Sequence, residues 1–225
     1  MKGILNLNGK LGQLLNKFGQ CLLLSVYWLL FSLPVFTWGA AACALYSTGR
    51  KLIDDEEGKL FQTFKASFKQ NFKQGAIVGT VALLACLVAI YCGLLMLRMG
   101  VFTDTLGTVT GVVYLLVVIA GLVWLHFILA YIARFEDNLK TVVRNTVYMA
   151  LMHLRTSIRL CIQLVIFGAL FYFLNIIPYL PAIVMLLPCT YGMLTIGPLE
   201  RVFLQYIPKE EPEEELPSNE ETTEK

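Results

Sequence analysis

Four apolar runs constrain this chain more than anything else in it: Ala76–Leu97, Gly111–Ala133, Leu160–Ile177 and Ala182–Val202, none with a charge near its centre. A helix needs about 20 such residues to cross a bilayer. In lipid it must satisfy its own backbone groups. A fifth run, Phe18–Tyr46, is too long for one straight crossing and short for two, and it contains Pro34. Proline lacks an N–H and disfavours helix at the residue before it. A break is therefore expected near Leu33–Thr37, with residues 12–33 as a first span and Thr37–Gly49 as a short returning helix. One crossing, with five plain spans in all, is the rival reading. The small stretch Gly39–Ala44 allows close approach to a neighbouring helix. The expected fold class is all-α: a polytopic helical membrane protein with five to six membrane helices and two interfacial amphipathic helices.

Composition supports this reading. Hydrophobic residues make up 57% and charged residues 15%, against about 45–50% and ~25% in soluble domains. A soluble globular enzyme lacks the polar surface it would need. A net charge of +2 supplies no basic field for nucleic acid. The charge is unevenly placed. Residues 209–225 hold eight acids and two lysines; taking these from totals of 16 and 18 leaves 8 acids and 16 bases over residues 1–208, or +8. The expected organisation is a helical membrane domain, 1–208, and a disordered acidic tail, 209–225. The tail either stays solvated or docks on a basic inner surface.

Basic residues crowd two loops. Residues 46–75 carry Arg50, Lys51, Lys59, Lys65, Lys69 and Lys73; residues 132–160 carry Arg134, Lys140, Arg144, Arg155 and Arg159. The positive-inside rule assigns both to the cytoplasm, along with the N-terminus (Lys2, Lys10 and Lys17) and the C-terminus. Ala40–Cys43 makes a poor lipobox, and the long N-region, the later spans and the interrupting Pro34-x-x-Thr37 argue for retention rather than cleavage of the first run.

Each basic loop contains an amphipathic helix. In 58–74, Phe64, Phe68 and Phe72 recur every four residues beside a parallel stripe of Lys65, Lys69 and Lys73. Such a helix is expected to lie at the membrane surface with its lysines toward anionic headgroups. Packing on another protein surface is the alternative. In 137–158, Val143, Val147, Ala150, Leu154 and Ile158 share one face, with Lys140, Arg144, Arg155 and Arg159 on another.

Chemistry-bearing patterns are sparse. No phosphate-binding glycine loop, nucleophile elbow or zinc motif occurs, so no catalytic, cofactor-binding or metal-ligating residue is assigned. The six cysteines lack paired spacing and read as thiols rather than disulfides or metal ligands. His126 lies inside the Gly111–Ala133 run. It is expected to be neutral and hydrogen-bonded between helices, with a ligand or proton role as the alternative. Arg134 and Glu136 sit at the membrane edge as candidate interhelical ion-pair partners, and Glu200 is a similar case. Gln163, Asn175, Thr190 and Thr195 are polar groups able to bond across helices. Gly75-x-x-x-Gly79 and Gly107-x-x-x-Gly111 fit close helix contacts. Tyr27, Trp28 and Trp38 bracket Pro34, as an interfacial belt or as cavity walls. Leu187-Pro188-Cys-Thr190-Tyr-Gly192 resembles Leu33-Pro34-Val-Phe-Thr37-Trp-Gly39 with one residue omitted. The candidate functional or packing positions are therefore Pro34, Thr37, Gly39, His126, Arg134, Glu136, Asn175 and Thr190.

The stretch Trp28–Gly39, continuing to Ala44-Leu45-Tyr46, resembles the YesL-like family of bacterial integral membrane proteins, a domain of unknown function. Phe64-x-x-x-Phe68-Lys-Gln-Asn71-Phe72 and Arg134-Phe135-Glu136 resemble it in order and spacing. Ala40 departs from the proline often found after the glycine. The resemblance covers roughly residues 1–205. It implies a multi-pass protein of the bacterial plasma membrane, linked to carbohydrate use through transporter and glycan-degrading genes that often neighbour its members. It transfers no catalytic residue. The expected function is a non-enzymatic accessory to oligosaccharide uptake that packs against an ABC transporter or sensor; a small transporter or channel is the alternative.

Overall fold

The computed structural model describes residues 10–54, 59–173 and 180–207. These residues form seven α-helices: α1 (Lys10–Phe31), α2 (Trp38–Ile53), α3 (Leu60–Arg98), α4 (Thr105–Arg134), α5 (Leu139–Met152), α6 (Leu154–Phe173) and α7 (Leu180–Phe203). Among the described residues there is no strand. By length and composition α3 and α4 each suffice to cross a membrane, and α5 with α6 forms a bent pair at 91° that passes the same test jointly. The chain is an all-α membrane protein. Asn175, the end of the Leu160–Ile177 run and the acidic tail lie outside the described residues.

The Phe18–Tyr46 run folds as a broken hairpin. Trp28 O still accepts the Ser32 N–H at 2.9 Å. Pro34 is then extended (φ −73°, ψ 115°), and one 3-10 turn, Val35–Thr37, leads into α2. The Thr37 side chain answers the break: its hydroxyl lies 2.6 Å from the carbonyl oxygens of both Phe31 and Pro34. A carbonyl orphaned by a helix end in an apolar layer needs such a partner. The tip reaches the middle of the longer helices, where Ser32 and Val35 line a pocket together with Ala82, Leu83 and Leu122. Leu33 is 71% exposed there, an arrangement suited to lipid rather than water.

Glycines set the closest approach in the fold. A Cβ on Gly39 would stand 2.1 Å from Gly75 O and 2.7 Å from Gly79 Cα. The backbones of α2 and α3 therefore touch, as the Gly75–Gly79 spacing predicts. Gly107 is different. A Cβ there would strike Val101 O in the turn before α4, where Asp104 Oδ1 caps the helix by accepting from Gly107 N at 3.0 Å. Its constraint is a tight turn and not a helix contact.

The two amphipathic segments fare differently. Residues 60–74 are not a separate surface helix. They form the first part of α3, which runs unbroken through Gly75 for 39 residues, about 58 Å at 1.5 Å per residue. Phe64 is fully buried, and the rings of Tyr27 and Phe31 pack on Phe61, Phe64 and Phe68. The aromatic stripe thus belongs largely to a protein contact with α1. Phe72 remains 40% exposed, and Lys65, Lys69 and Lys73 stay exposed. The second segment ends at His153, where α5 turns through 91° into α6. Its buried face is Val142, Thr146 and Met149, whereas Val143, Val147, Leu154 and Ile158 are exposed. The apolar stripe faces out and a mixed stripe faces in, as expected where the surroundings are themselves apolar.

Candidate functional site

Two polar assemblies sit where α2, α4 and α7 meet. The first closes the basic end of the bundle. Glu200 on α7 stands between two arginines, with Arg134 Nε 3.7 Å from Oε2 and Arg50 Nε 3.9 Å from Oε1. Tyr46 donates its hydroxyl hydrogen to Oε1 at 3.0 Å. Arg50 also pairs with Asp54 one turn on, at 3.3 Å. Three helices are pinned by one carboxylate. Arg134 Nε is buried and meets no hydrogen-bond acceptor among the described residues, so the Glu200 charge is what offsets it there. Arg134 thus makes an interhelical ion pair, but with Glu200. Glu136 is exposed and accepts from Gln70 Nε2 of α3. Asp137 accepts from the Tyr131 hydroxyl at 2.6 Å, and Gln74 Nε2 donates to Asp137 O at 2.9 Å. The α4–α5 corner is thereby tied to α3.

The second assembly lies deeper. His126 is eight residues before Arg134, about 12 Å along α4. Its Nδ1 is 2.7 Å from Leu122 O, and its Nε2 is 2.8 Å from the Tyr191 hydroxyl of α7. A carbonyl only accepts, so Nδ1 carries the hydrogen of the neutral ring and Nε2 accepts from Tyr191. Gln163 of α6 donates to Tyr191 O at 3.2 Å and to Thr195 Oγ1 at 3.0 Å. The Phe167 ring packs edge-on to Tyr191. These bonds tie α4, α6 and α7 together at a depth where unpaired polar groups are costly.

A cavity of about 280 Å³ opens beside this pair, walled by Trp28, Trp38, Tyr46, His126, Tyr191 and apolar residues of α2, α4 and α7. The tryptophans flanking Pro34 both line this cavity; Tyr27 packs on Phe61 and Phe64. The two Pro-containing segments that resemble each other both contribute walls, through Trp38 on one and Pro188, Tyr191 and Gly192 on the other. They are not structural copies, since Pro34 breaks the chain and Pro188 lies inside α7. Thr190 is exposed and does not line the cavity. Thr37 is buried in the helix break and Gly39 in the α2–α3 contact. Of the candidate positions among the described residues, the structure brings only His126 to the cavity wall.

Tyr191 and Tyr46 fall inside motifs quoted from the sequence, which give neither of them a partner or a role. The available signal was the requirement that a buried histidine or a membrane-edge glutamate find a donor. Among the described residues no three His, Cys, Asp or Glu side chains cluster as metal ligands. Cys43, Cys86, Cys92 and Cys161 are in no disulfide, and Cys43, fully buried, donates to Leu129 O at 3.3 Å.

We expect Tyr191→Phe to lower stability by about 1–3 kcal/mol, the usual cost of orphaning a buried acceptor. Thermal unfolding in detergent measures this. With only two histidines in the chain, ¹⁵N spectra of histidine-labelled protein should show His126 as the Nδ1–H tautomer.

These features define a helical membrane protein held by internal polar contacts at two levels. Residues 21–94 match the model of a family described as a protein of unknown function, DUF624. The match covers the second half of α1, all of α2 and most of α3, and it agrees with the YesL-like resemblance carried by Trp28–Gly39. No curated protein and no solved structure matches the chain.

Proposed function

We propose that this chain is a non-enzymatic accessory protein of oligosaccharide uptake in the bacterial plasma membrane, packing laterally against a transmembrane transporter subunit or sensor. Both basic loops and both termini face the cytoplasm in this reading. The observation that carries it is the engagement of the ionisable groups with one another. Glu200 sits between Arg50 and Arg134, and His126 is held by Leu122 O and Tyr191. Groups so placed hold helices together and leave the long apolar sides of α3 and α4, with Val81, Leu84 and Val88 exposed, for lateral contact. The carbohydrate link comes from the family resemblance.

The test is purification from the native membrane in mild detergent, with photo-crosslinking side chains at Leu84 and Val88. A transporter or sensor component is expected in the crosslinked product. Repeated recovery of the protein crosslinked to nothing overturns the proposal.

One observation favours a second reading. The cavity beside His126 suits a small transporter whose pathway passes Trp38 and Tyr191. Purified protein in liposomes then carries solute, and Ala42→Phe, which fills the cavity, abolishes the flux. An absence of flux over a broad solute panel rejects that reading.

A further inference from the structure

We propose that the groove between α3, α4 and the start of α5 binds one anionic phospholipid, with an acyl chain in the groove and the phosphate held by Lys73, Lys140 and Arg144. The groove has a volume of about 370 Å³, with walls that include Ala82, Ala85 and Ala89 on α3, Gly121 on α4 and Val143 on α5. Val81 and Val117 on its rim are more than 60% exposed, so it opens sideways, toward lipid.

Its dimensions select the occupant. From Ile77 to Ala89 the groove runs about 18 Å along α3, close to half of a ~30 Å hydrocarbon core. A volume of about 370 Å³ spread over that length makes a narrow slot, whereas a helix with its side chains is about 10 Å across. A single extended hydrocarbon chain fits and a partner helix does not.

Charge selects the headgroup. Lys73 lies one turn before the lining residue Ile77, and Lys140 and Arg144 each follow a lining residue, Leu139 and Val143. All three cations are exposed. The hydrogen bond from Gln74 to Asp137 O joins α3 to the start of α5, so the cations gather at one end of the groove. Two carboxylates lie at that end, Glu136 hydrogen-bonded by Gln70 and Asp137 by Tyr131, and the three cations outnumber them. Cations at the end of an apolar slot attract an anionic headgroup whose tail enters the slot.

Native mass spectrometry of the full chain, with phosphatidylglycerol and phosphatidylcholine of matched chains at equal concentration, tests this. One phosphatidylglycerol should be retained at least fivefold over phosphatidylcholine. K140Q/R144Q should bring the ratio near one, and A85L, which narrows the groove, should reduce retention of both lipids. R155Q/R159Q, at the start of α6 and away from the groove lining, should leave the ratio unchanged. Equal retention of the two lipids by the unaltered protein overturns the proposal, as does an unchanged ratio in K140Q/R144Q or an equal loss in R155Q/R159Q. Should A85L fail to fold, the surface charge variants still decide the matter.

Discussion

Gly39→Leu is expected to leave no stably folded bundle. The α2–α3 contact is backbone against backbone, and even the first carbon of a side chain at position 39 would lie 2.1 Å from Gly75 O. No rotamer relieves that overlap, so the helices must separate. Overpacking a well-filled core costs about 1–3 kcal/mol where side chains can shift. Here only backbone can move, and the upper end of that range applies to Gly39→Ala alone. For a chain of this size about 3 kcal/mol corresponds to a fall of roughly 6–12 °C in Tm. With the other five cysteines replaced by serine or alanine, Cys43, buried one turn along α2, reports the loss: its thiol should react with a maleimide fluorophore at lower temperature in G39A, and without heating in G39L. Gly197→Ala is the control. A Cβ there meets nothing within 4 Å, and alanine is the better helix former by about 1 kcal/mol, so stability should hold or rise. Wild-type stability in G39L would show that α2 does not pack on α3 as described.

Glu200→Ala should be the most damaging change to a charged residue. It leaves two arginines facing each other across α2 and α4 with their shared carboxylate gone. Removing one partner of a buried ion pair costs about 3–5 kcal/mol. The Arg50, Arg134 and Glu200 side chains keep 15–24% exposure and the pairs are long, so the lower end, about 3 kcal/mol, is expected. Arg134→Ala on its own should also destabilise. The double variant should fall short of the sum by about 1 kcal/mol or more, the sign of a shared interaction. Glu136→Ala should change little, because Glu136 is exposed and accepts only from Gln70 among the described residues. Thermal unfolding of the four proteins in one detergent measures the set. Strict additivity would remove Glu200 from the role described.

Local rules carried some elements fully. Pro34 breaks the helix where its missing N–H and its effect on Leu33 require, and Thr37 supplies the hydroxyl that makes the break tolerable. Gly75 and Gly79 mark the close crossing because only glycine lets two backbones meet. Elsewhere the residues were noticed and the partner was not. The phenylalanine stripe of α3 reads as a membrane-binding face, since nothing near it in sequence says that Tyr27 and Phe31 return to cover it. The apolar stripe Val143–Ile158 reads as the membrane-facing side of a second interfacial helix, and Val143, Val147, Leu154 and Ile158 are exposed. Lipid removes the penalty on exposed valine and leucine, and burial goes instead to Val142, Thr146 and Met149.

By itself the sequence determined the all-α class, the apolar helices, the break at Pro34 and the basic segments at helix ends. Each follows from interactions between residues a few positions apart, or between one segment and its solvent. Only the tertiary structure decided that Arg134 pairs with Glu200 and not Glu136, that His126 meets Tyr191, and that Trp28 and Trp38 wall a cavity. Those contacts join residues far apart along the chain. In a bundle surrounded by lipid, their choice depends on which helices approach closely enough for small and polar groups to meet, which hydropathy does not encode.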